Sequence, residues 1–366
     1  MVDTYNIRGV ITLTAAAHQS SPEKDGNHTP MLSTRVMTDL GPVTVPIISA
    51  NSVRALMRRR AADRVWEALR AKKMQIPRDL YLSVARGAYS RTGMKAGEAT
   101  VQELVAARSH VFAGLFGGGA RMFASRLRME ADLLPMVAET KELFPLWLQA
   151  MCRGTAVLRD GEGRYRGSGL ISKVLLTGRD DLTAGGGADV IENYEKAYAE
   201  FVSNVDAKAA RKKAQTTATK AAKAAGEKLV ISDDDRAKSD ALATIATMDV
   251  LNPGTRLYFG ERLPGVTPAQ LGLALMALQD WANQNALGGG SVRGRGSFSA
   301  ALALEHNGSR VTDNLLLGEA PAYRLADDPA ISQAVAAAQT ALDAIDPQSL
   351  GHVFPTTTDA DVQEAA

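Results

Sequence analysis

The sequence has a single cysteine, Cys152, among 366 residues. One thiol excludes an internal disulfide and fits a reducing compartment, so a cytoplasmic location is expected. Cys152 itself reads as a small buried hydrophobe. No run of about 18 apolar residues occurs, so no membrane-spanning helix and no membrane partner are expected. The stretch Met1–Thr14 lacks the basic start and unbroken apolar run of a signal peptide. The five histidines, at positions 18, 28, 110, 306 and 352, are scattered, and none has metal-ligand spacing. No nucleophile elbow or zinc motif is present. The longest glycine-rich stretch lacks the Gly-Lys-Ser/Thr ending of a phosphate-binding P-loop. Neither catalysis, nor a metal, nor a cofactor is therefore expected.

Hydrophobic residues make up 45% of the chain, enough to bury one large core or two ordinary ones. The net charge of +2 hides an asymmetry: 41 of the 42 basic residues and 31 of the 40 acidic ones precede Asp313. The body is thus basic and the C-terminal part acidic, a pattern that suggests a polyanionic partner.

Tyr5–Thr14 alternates and is rich in β-branched residues, which predicts a strand. Ala15–Gly41 holds Pro22, Gly26, Asn27 and Pro30, so it reads as a long loop or irregular hairpin. Val43–Ile48 is a short extended approach. A helix is expected from Ser52 to Ala71, capped by Asn51 or Ser52, with Val53, Leu56, Met57, Val65, Trp66 and Leu69 forming its apolar stripe. Gly87–Thr100 reads as a loop. Val101–Leu115 reads as one helix ended by Gly117-Gly118-Gly119, and Arg121–Leu133 as a strand. Leu143–Arg153 is apolar and ambiguous; Arg164–Leu176 is strand-like. Between Asp206 and Lys228 lie seven basic and two acidic residues and almost no large apolar side chain, so this stretch reads as an exposed helix or mobile insertion. A strand over Thr255–Phe259 opens after Pro253-Gly254. A helix over Pro268–Asn283 has proline in its first turn, and a strand covers Phe298–Leu304. An Ala-rich helix and a disordered end should close the chain. The order of elements favours α+β or α/β over all-α.

Three segments offer contacts to phosphate. Arg54, Arg58, Arg59, Arg60, Arg64, Arg70, Lys72 and Lys73 lie on or just after one helix. Arg54 and Arg58 are one turn apart, and two guanidiniums at that spacing can each fork onto a phosphate. The amides at Asn51 and Ser52 and the helix dipole would hold another. The second segment is Gly288, Gly289, Gly290, Ser291, Val292, Arg293, Gly294, Arg295 and Gly296. There glycine permits close backbone approach and the amides can face an anion. The third is the Gly117-Gly118-Gly119 run followed by Arg121, Arg126 and Arg128. Taken alone, it reads more readily as a helix stop before an exposed strand edge. His18, Asp25 and Asp39 are the groups a metal-dependent nuclease would use; as loop carboxylates, the two aspartates read as solvated.

Together these segments resemble the RAMP superfamily of CRISPR-associated proteins. The strand leading to His18 comes first, then the proline-led entry from Pro46 to Arg54 into a helix. Leu115-Phe116-Gly117 follows, then the Pro-Gly-Thr strand Pro253–Phe259, a helix, and the Arg-Gly-x-Gly core at Arg293–Gly296. Ala55 departs from the pattern, since glycine is usual after that arginine. The size and the single glycine-rich loop are most similar to the backbone subunits of class 1 effector complexes, the type IV kind in particular. The resemblance implies an α+β fold with a ferredoxin-like or RRM-like palm, in pieces at 1–59, 116–159 and 251–312. It implies helical fingers over 60–115, a thumb insertion over 160–250 and an acidic C-terminal part over 313–366. It also implies a non-enzymatic protein that polymerises on CRISPR RNA, holds the phosphates, presents the bases to target DNA or RNA, and contacts other complex subunits. Two alternatives remain open: a metal-dependent endoribonuclease of the same superfamily, and a self-assembling scaffold that binds no nucleic acid.

Overall fold

The structure, a computed structural model, describes residues 2–23, 28–38, 41–87, 99–119, 122–159, 165–179, 195–196, 199, 203, 243–289 and 294–354. The basic run within 206–228 and the end of the chain from 355 lie outside these residues. The chain divides into two units. The larger comprises Met1–Lys24, Thr29–Lys173 and Asp249–Ala366; the smaller comprises Asp25–His28 and Val174–Met248. In the smaller unit the His28 ring meets the Thr247 hydroxyl at 2.9 Å.

The larger unit is built on six elements in the order β-α-β-β-α-β. They are β1 (Thr4–Leu13), α1 (Ala50–Ala71), β2 (Arg128–Met129), β3 (Arg256–Pro264), α2 (Pro268–Gln284) and β4 (Phe298–His306). The strands lie side by side as β4-β1-β3-β2, every pair antiparallel, with Ser309–Thr312 added outside β4. This is the order of a ferredoxin-like split βαβ pair. The fold is α+β, as expected.

The period of two along a strand assigns the faces. Ile7, Ile11 and Leu13 of β1 and Leu257, Phe259 and Leu263 of β3 enter the main core under the helices. Trp281 of α2 sits between Phe259 and Phe298, with ring centres 5.9 and 4.9 Å away. The helix Pro329–Asp343 packs on α2 so closely that a Cβ at Gly272 would lie 2.0 Å from the Ala334 carbonyl oxygen. Only glycine fits there.

The opposite face carries Asn6, Arg8 and Val10 from β1 and Tyr258 and Arg262 from β3. The stretch 134–152 crosses half of it: Met136, Phe144 and Leu148 pack on Val10 and Tyr258, and Arg256 Nη1 donates to the Met151 carbonyl at 3.0 Å. The other half stays open.

Several boundaries differ from expectation. The cap of α1 is Ser49, whose hydroxyl accepts from the Asn51 amide, rather than Asn51 or Ser52. The stretch 101–115 is two helices, Val101–Ser109 and Val111–Phe116. At the break His110 has extended backbone, and its Nδ1 accepts from the Phe112 and Ala113 amides. The strand expected over 121–133 is reduced to Arg128–Met129. Arg78–Arg86, left unread between two basic stretches, is a helix. The 15–41 stretch ends in a hairpin, Ser33–Thr38 pairing with Gly41–Pro46.

Glu261 stands out on β3. It points into the helix-side core, is fully buried, and neither carboxyl oxygen meets a hydrogen-bonding group among the described residues. Burial pushes its carboxyl up to about 8. Between the ordinary glutamate value and that figure, the native state keeps a proton that the unfolded state releases. Stability therefore falls as pH rises across that window. Glu261→Gln should raise the urea midpoint at pH 7–8 and give little or no gain near pH 5. An unchanged pH profile in the variant would show that Glu261 does not titrate on unfolding.

Candidate nucleic-acid interface

The helix α1 begins where sequence reasoning placed a phosphate site, but its amides are engaged. Ala50 N–H donates to the Asp132 carboxylate at 2.8 Å, Asn51 N–H to the Ser49 hydroxyl at 3.2 Å, and the Ser52 amide to the Ser49 carbonyl at 3.0 Å. A carboxylate thus occupies the end of the dipole that a phosphate would need.

The arginines of α1 are also largely spoken for. Arg58 is buried, and its guanidinium lies in a cage of backbone carbonyls. Nε donates to Val84 at 2.7 Å, Nη1 to Phe116 at 3.2 Å and Gly117 at 2.9 Å, and Nη2 to Ser83 at 3.1 Å. The same group lies over the rings of Phe112 and Phe116. Burial and then the neighbouring Arg54 hold its pKa down at about 10. The expectation that Arg58 forks onto a phosphate is corrected: it clamps α1 to the ends of two other helices. Half-buried Arg54 donates to the Phe116 carbonyl at 2.9 Å. Arg64 forms a two-point pair with Asp280, at 2.8 and 2.7 Å, and Arg60 pairs with Asp63. Arg59 stays exposed.

In the glycine-rich loop, Arg293 and Gly290 lie outside the described residues, as does Arg121. Of the rest, Gly289 N–H donates to the His18 carbonyl at 2.6 Å, Gly296 N–H to the Ala16 carbonyl at 2.9 Å, and the Gly296 carbonyl accepts from Leu287 at 3.0 Å. Gly288 and Gly296 have φ of +74° and +78°. A Cβ would fall 2.3 Å from the His18 oxygen in the first case and 2.0 Å from the Leu287 oxygen in the second. These glycines serve a close approach within the protein, not one toward a ligand. Gly294, at φ +70°, faces open space. Arg295 lies near enough to His18 to oppose its protonation, though burial is the larger cause of the lowered His18 pKa. The buried His18 ring is held between the Asp249 carbonyl, 2.6 Å from Nδ1, and the Ser20 hydroxyl, 2.9 Å from Nε2.

A different place gathers several arginines. On the open half of the sheet, at the end where β1 begins, a cleft of about 1000 Å³ is lined by Arg8, Arg108, Arg126, Arg128 and Arg262, with Asn6 beside them. Arg8 is neutralised on the floor: Nε meets Glu130 at 2.9 Å and Nη1 meets Glu305 at 3.0 Å. Tyr258 donates to Glu130 at 2.6 Å. Against the cost of burial, these bonds hold the Glu130 carboxyl below the usual range. Arg126 Nη1 donates to the Gln270 carboxamide at 2.7 Å, a neutral partner that fixes the guanidinium without cancelling its charge. Burial and then the Arg108 charge lower its pKa. Arg108, Arg128 and Arg262 are exposed, and no ion pair joins any of them to a carboxylate among the described residues. Like charges facing one cleft repel unless an anion enters.

Of the described arginines in the third phosphate-contact segment, Arg126 and Arg128 both line this cleft. Gly288, Gly289, Gly294, Arg295 and Gly296 lie beyond the opposite end of β1, about 30 Å of strand away. Arg8, Arg108 and Arg262 were missed. Arg8 and Arg262 sit at the polar phase of apolar strands, and Arg126 and Arg128 are two apart, which places both on one side of extended chain.

No family model matches the chain, and no curated protein does. Among solved structures it is similar to a chain of a type IV-B CRISPR complex, with 18% sequence identity and a TM-score of 0.42, over 87% of this chain and 94% of that one.

Arg58→Ala should take a donor from four backbone carbonyls, of which Phe116 keeps Arg54 and Ser83 keeps the Gly87 amide, and lower stability by roughly 3 kcal/mol or more, while Arg59→Ala on the exposed side should change it by less than about 0.5 kcal/mol. Urea unfolding of both variants makes the check. Equal midpoints would mean that the carbonyl cage contributes nothing.

Proposed function

We propose that the chain is a non-enzymatic subunit of a CRISPR effector complex that binds CRISPR RNA along its phosphates. Copies of it lie side by side on the strand beside other subunits, and the bases are left to pair with target DNA or RNA. The observation that carries this reading is the cleft with Arg108, Arg126, Arg128 and Arg262 on the open half of a ferredoxin-like sheet. The ordered landmarks of the sequence, from the His18 strand to Arg293–Gly296, support it. Guanidiniums without carboxylate partners suit phosphodiesters, which they can grip in pairs of hydrogen bonds. Contacts to phosphate position a strand without reading its sequence.

Replacing Arg128 and Arg262 together by Ala should weaken binding of every RNA sequence tested to a similar degree. It should also flatten the salt dependence by about 1.4 in the log–log slope, roughly 0.7 per lost phosphate contact on a single strand. Affinity measured by fluorescence anisotropy from 50 to 300 mM salt makes the check; wild-type slope and affinity in the variant would remove the cleft from the RNA path.

Of the groups the nuclease alternative would use, Asp25 and Asp39 lie outside the described residues, and both ring nitrogens of His18 are engaged inside the protein. RNA incubated with the pure protein and Mg²⁺ should stay intact on a denaturing gel. Cleavage abolished by EDTA and by His18→Ala, Asp25→Ala or Asp39→Ala would overturn the non-enzymatic reading.

A further inference from the structure

Leu146 and Trp147, on the one-turn helix Leu146–Gln149, are 85% and 42% exposed. They belong to the stretch that crosses the sheet face, whose Phe144 and Leu148 are buried against Val10 and Tyr258. The turn is therefore anchored while its other side faces solvent. The guanidinium of Arg310 lies 4.3 Å from the centre of the Trp147 ring. Arg310 is itself held: Nη2 meets Glu305 at 3.3 Å and Nη1 meets Asp313 at 3.4 Å. Glu305 in turn grips Arg8 on the cleft floor at 3.0 Å. An indole with exposed surface is thus tied, through one arginine and one glutamate, to the floor of the cationic cleft.

We propose that Trp147 is a stacking platform for a base of single-stranded RNA whose neighbouring phosphates occupy the arginine cleft, an inference that rests on reading the cleft as an RNA-backbone site. A flat aromatic beside a cationic groove is the combination that holds single strands without sequence preference, since every base has a face to stack. The cation against the ring fixes the indole and leaves it pre-organised. An apolar protein partner is less well matched, because the ground between the indole and the cleft is an array of charges, Arg310, Glu305, Arg8 and Glu130.

The protein has three tryptophans, and Trp66 and Trp281 are only 9% and 0% exposed. Stacking at Trp147 should therefore quench the wild-type fluorescence when oligouridine is added, and inorganic polyphosphate, which has charge but no bases, should not. Trp147→Leu should bind oligouridine about 5–100-fold more weakly and polyphosphate as before, with Trp147→Phe in between. Absence of quenching by bound oligouridine would overturn the platform. So would an equal loss of polyphosphate affinity in Trp147→Leu, which would make Trp147 a support for the cleft's shape. A changed sedimentation coefficient with unchanged oligouridine affinity would make the patch a contact between copies, again overturning it. If Trp147→Leu binds normally while the Arg128, Arg262 double variant does not, the platform falls and the RNA-backbone reading stands. If the wild type binds no RNA, both fall.

Discussion

β1 is hydrogen-bonded to β3 on one edge and to β4 on the other along almost its whole length. Because side chains alternate, this one strand sets the character of both faces of the sheet. Ile7, Ile11 and Leu13 supply the floor of the helix-side core, and Asn6 and Arg8 face the cleft. A slip of one residue would bury Arg8 and expose Ile7, so the main core and the cleft share a single register. Val10 marks where the second face changes use. Toward Leu13 it is covered by 134–152; toward Thr4 it carries Asn6 and Arg8 and lines the cleft.

The helical layer must also absorb an unusual density of arginine. It does so mostly with backbone. Helices 78–86 and 111–116 both end near Arg58, and the last carbonyls of a helix have no partner within it. The guanidinium supplies donors to Ser83, Val84, Phe116 and Gly117 at once, which neutral water could do only by entering the core. Two chain turns that follow, at Gly87 and Gly117, leave the helices with positive φ. The bare Gly87 accommodates the guanidinium, since a Cβ there would sit 3.3 Å from it. A cation that looks like surface charge in the sequence is thus the tie between three helices.

These two cases account for what was legible in the sequence. β1, β3, α2 and β4 were readable because each has a clean period, and α2 also has proline and a capping threonine at its start. β2 was overextended, because only two residues of a partly alternating stretch find a partner on β3. Helix 78–86 went unread although its polarity is strongly one-sided, because it is short and flanked by charge. For the site, a cluster of arginines on one helix was a poor guide, since charge counted along a sequence ignores the carbonyls and carboxylates that folding brings to it. The cleft draws its cations from four places, around residues 8, 108, 126–128 and 262. Sheet order brings three of these together, and the Gln270 side chain ties Arg126 to the backbone of Arg108 and His110. No local pattern encodes that convergence.

The two ends of the sheet illustrate the accounting that decides where an anion can bind. At the His18 end, several described donors are satisfied: Gly289 and Gly296 bond to the chain at 16–18, and the first turn of α1 is closed by Asp132 and Ser49. At the cleft end, Arg8 is matched by the carboxylates of Glu130 and Glu305, and its neutralisation makes a polar floor. Arg126 is fixed by a neutral carboxamide, which orients a guanidinium while leaving its charge unspent. Arg108, Arg128 and Arg262 then add to a positive field, with no carboxylate among the described residues at ion-pairing distance from them. Whether a glycine or an arginine belongs to a ligand site thus depends less on its identity than on whether the folded chain has already claimed its donors. By that measure the cleft on the open half of the sheet offers an anion more unclaimed guanidinium donors than the described glycines at 288, 289 and 296, whose backbone groups or Cβ space the chain itself takes up.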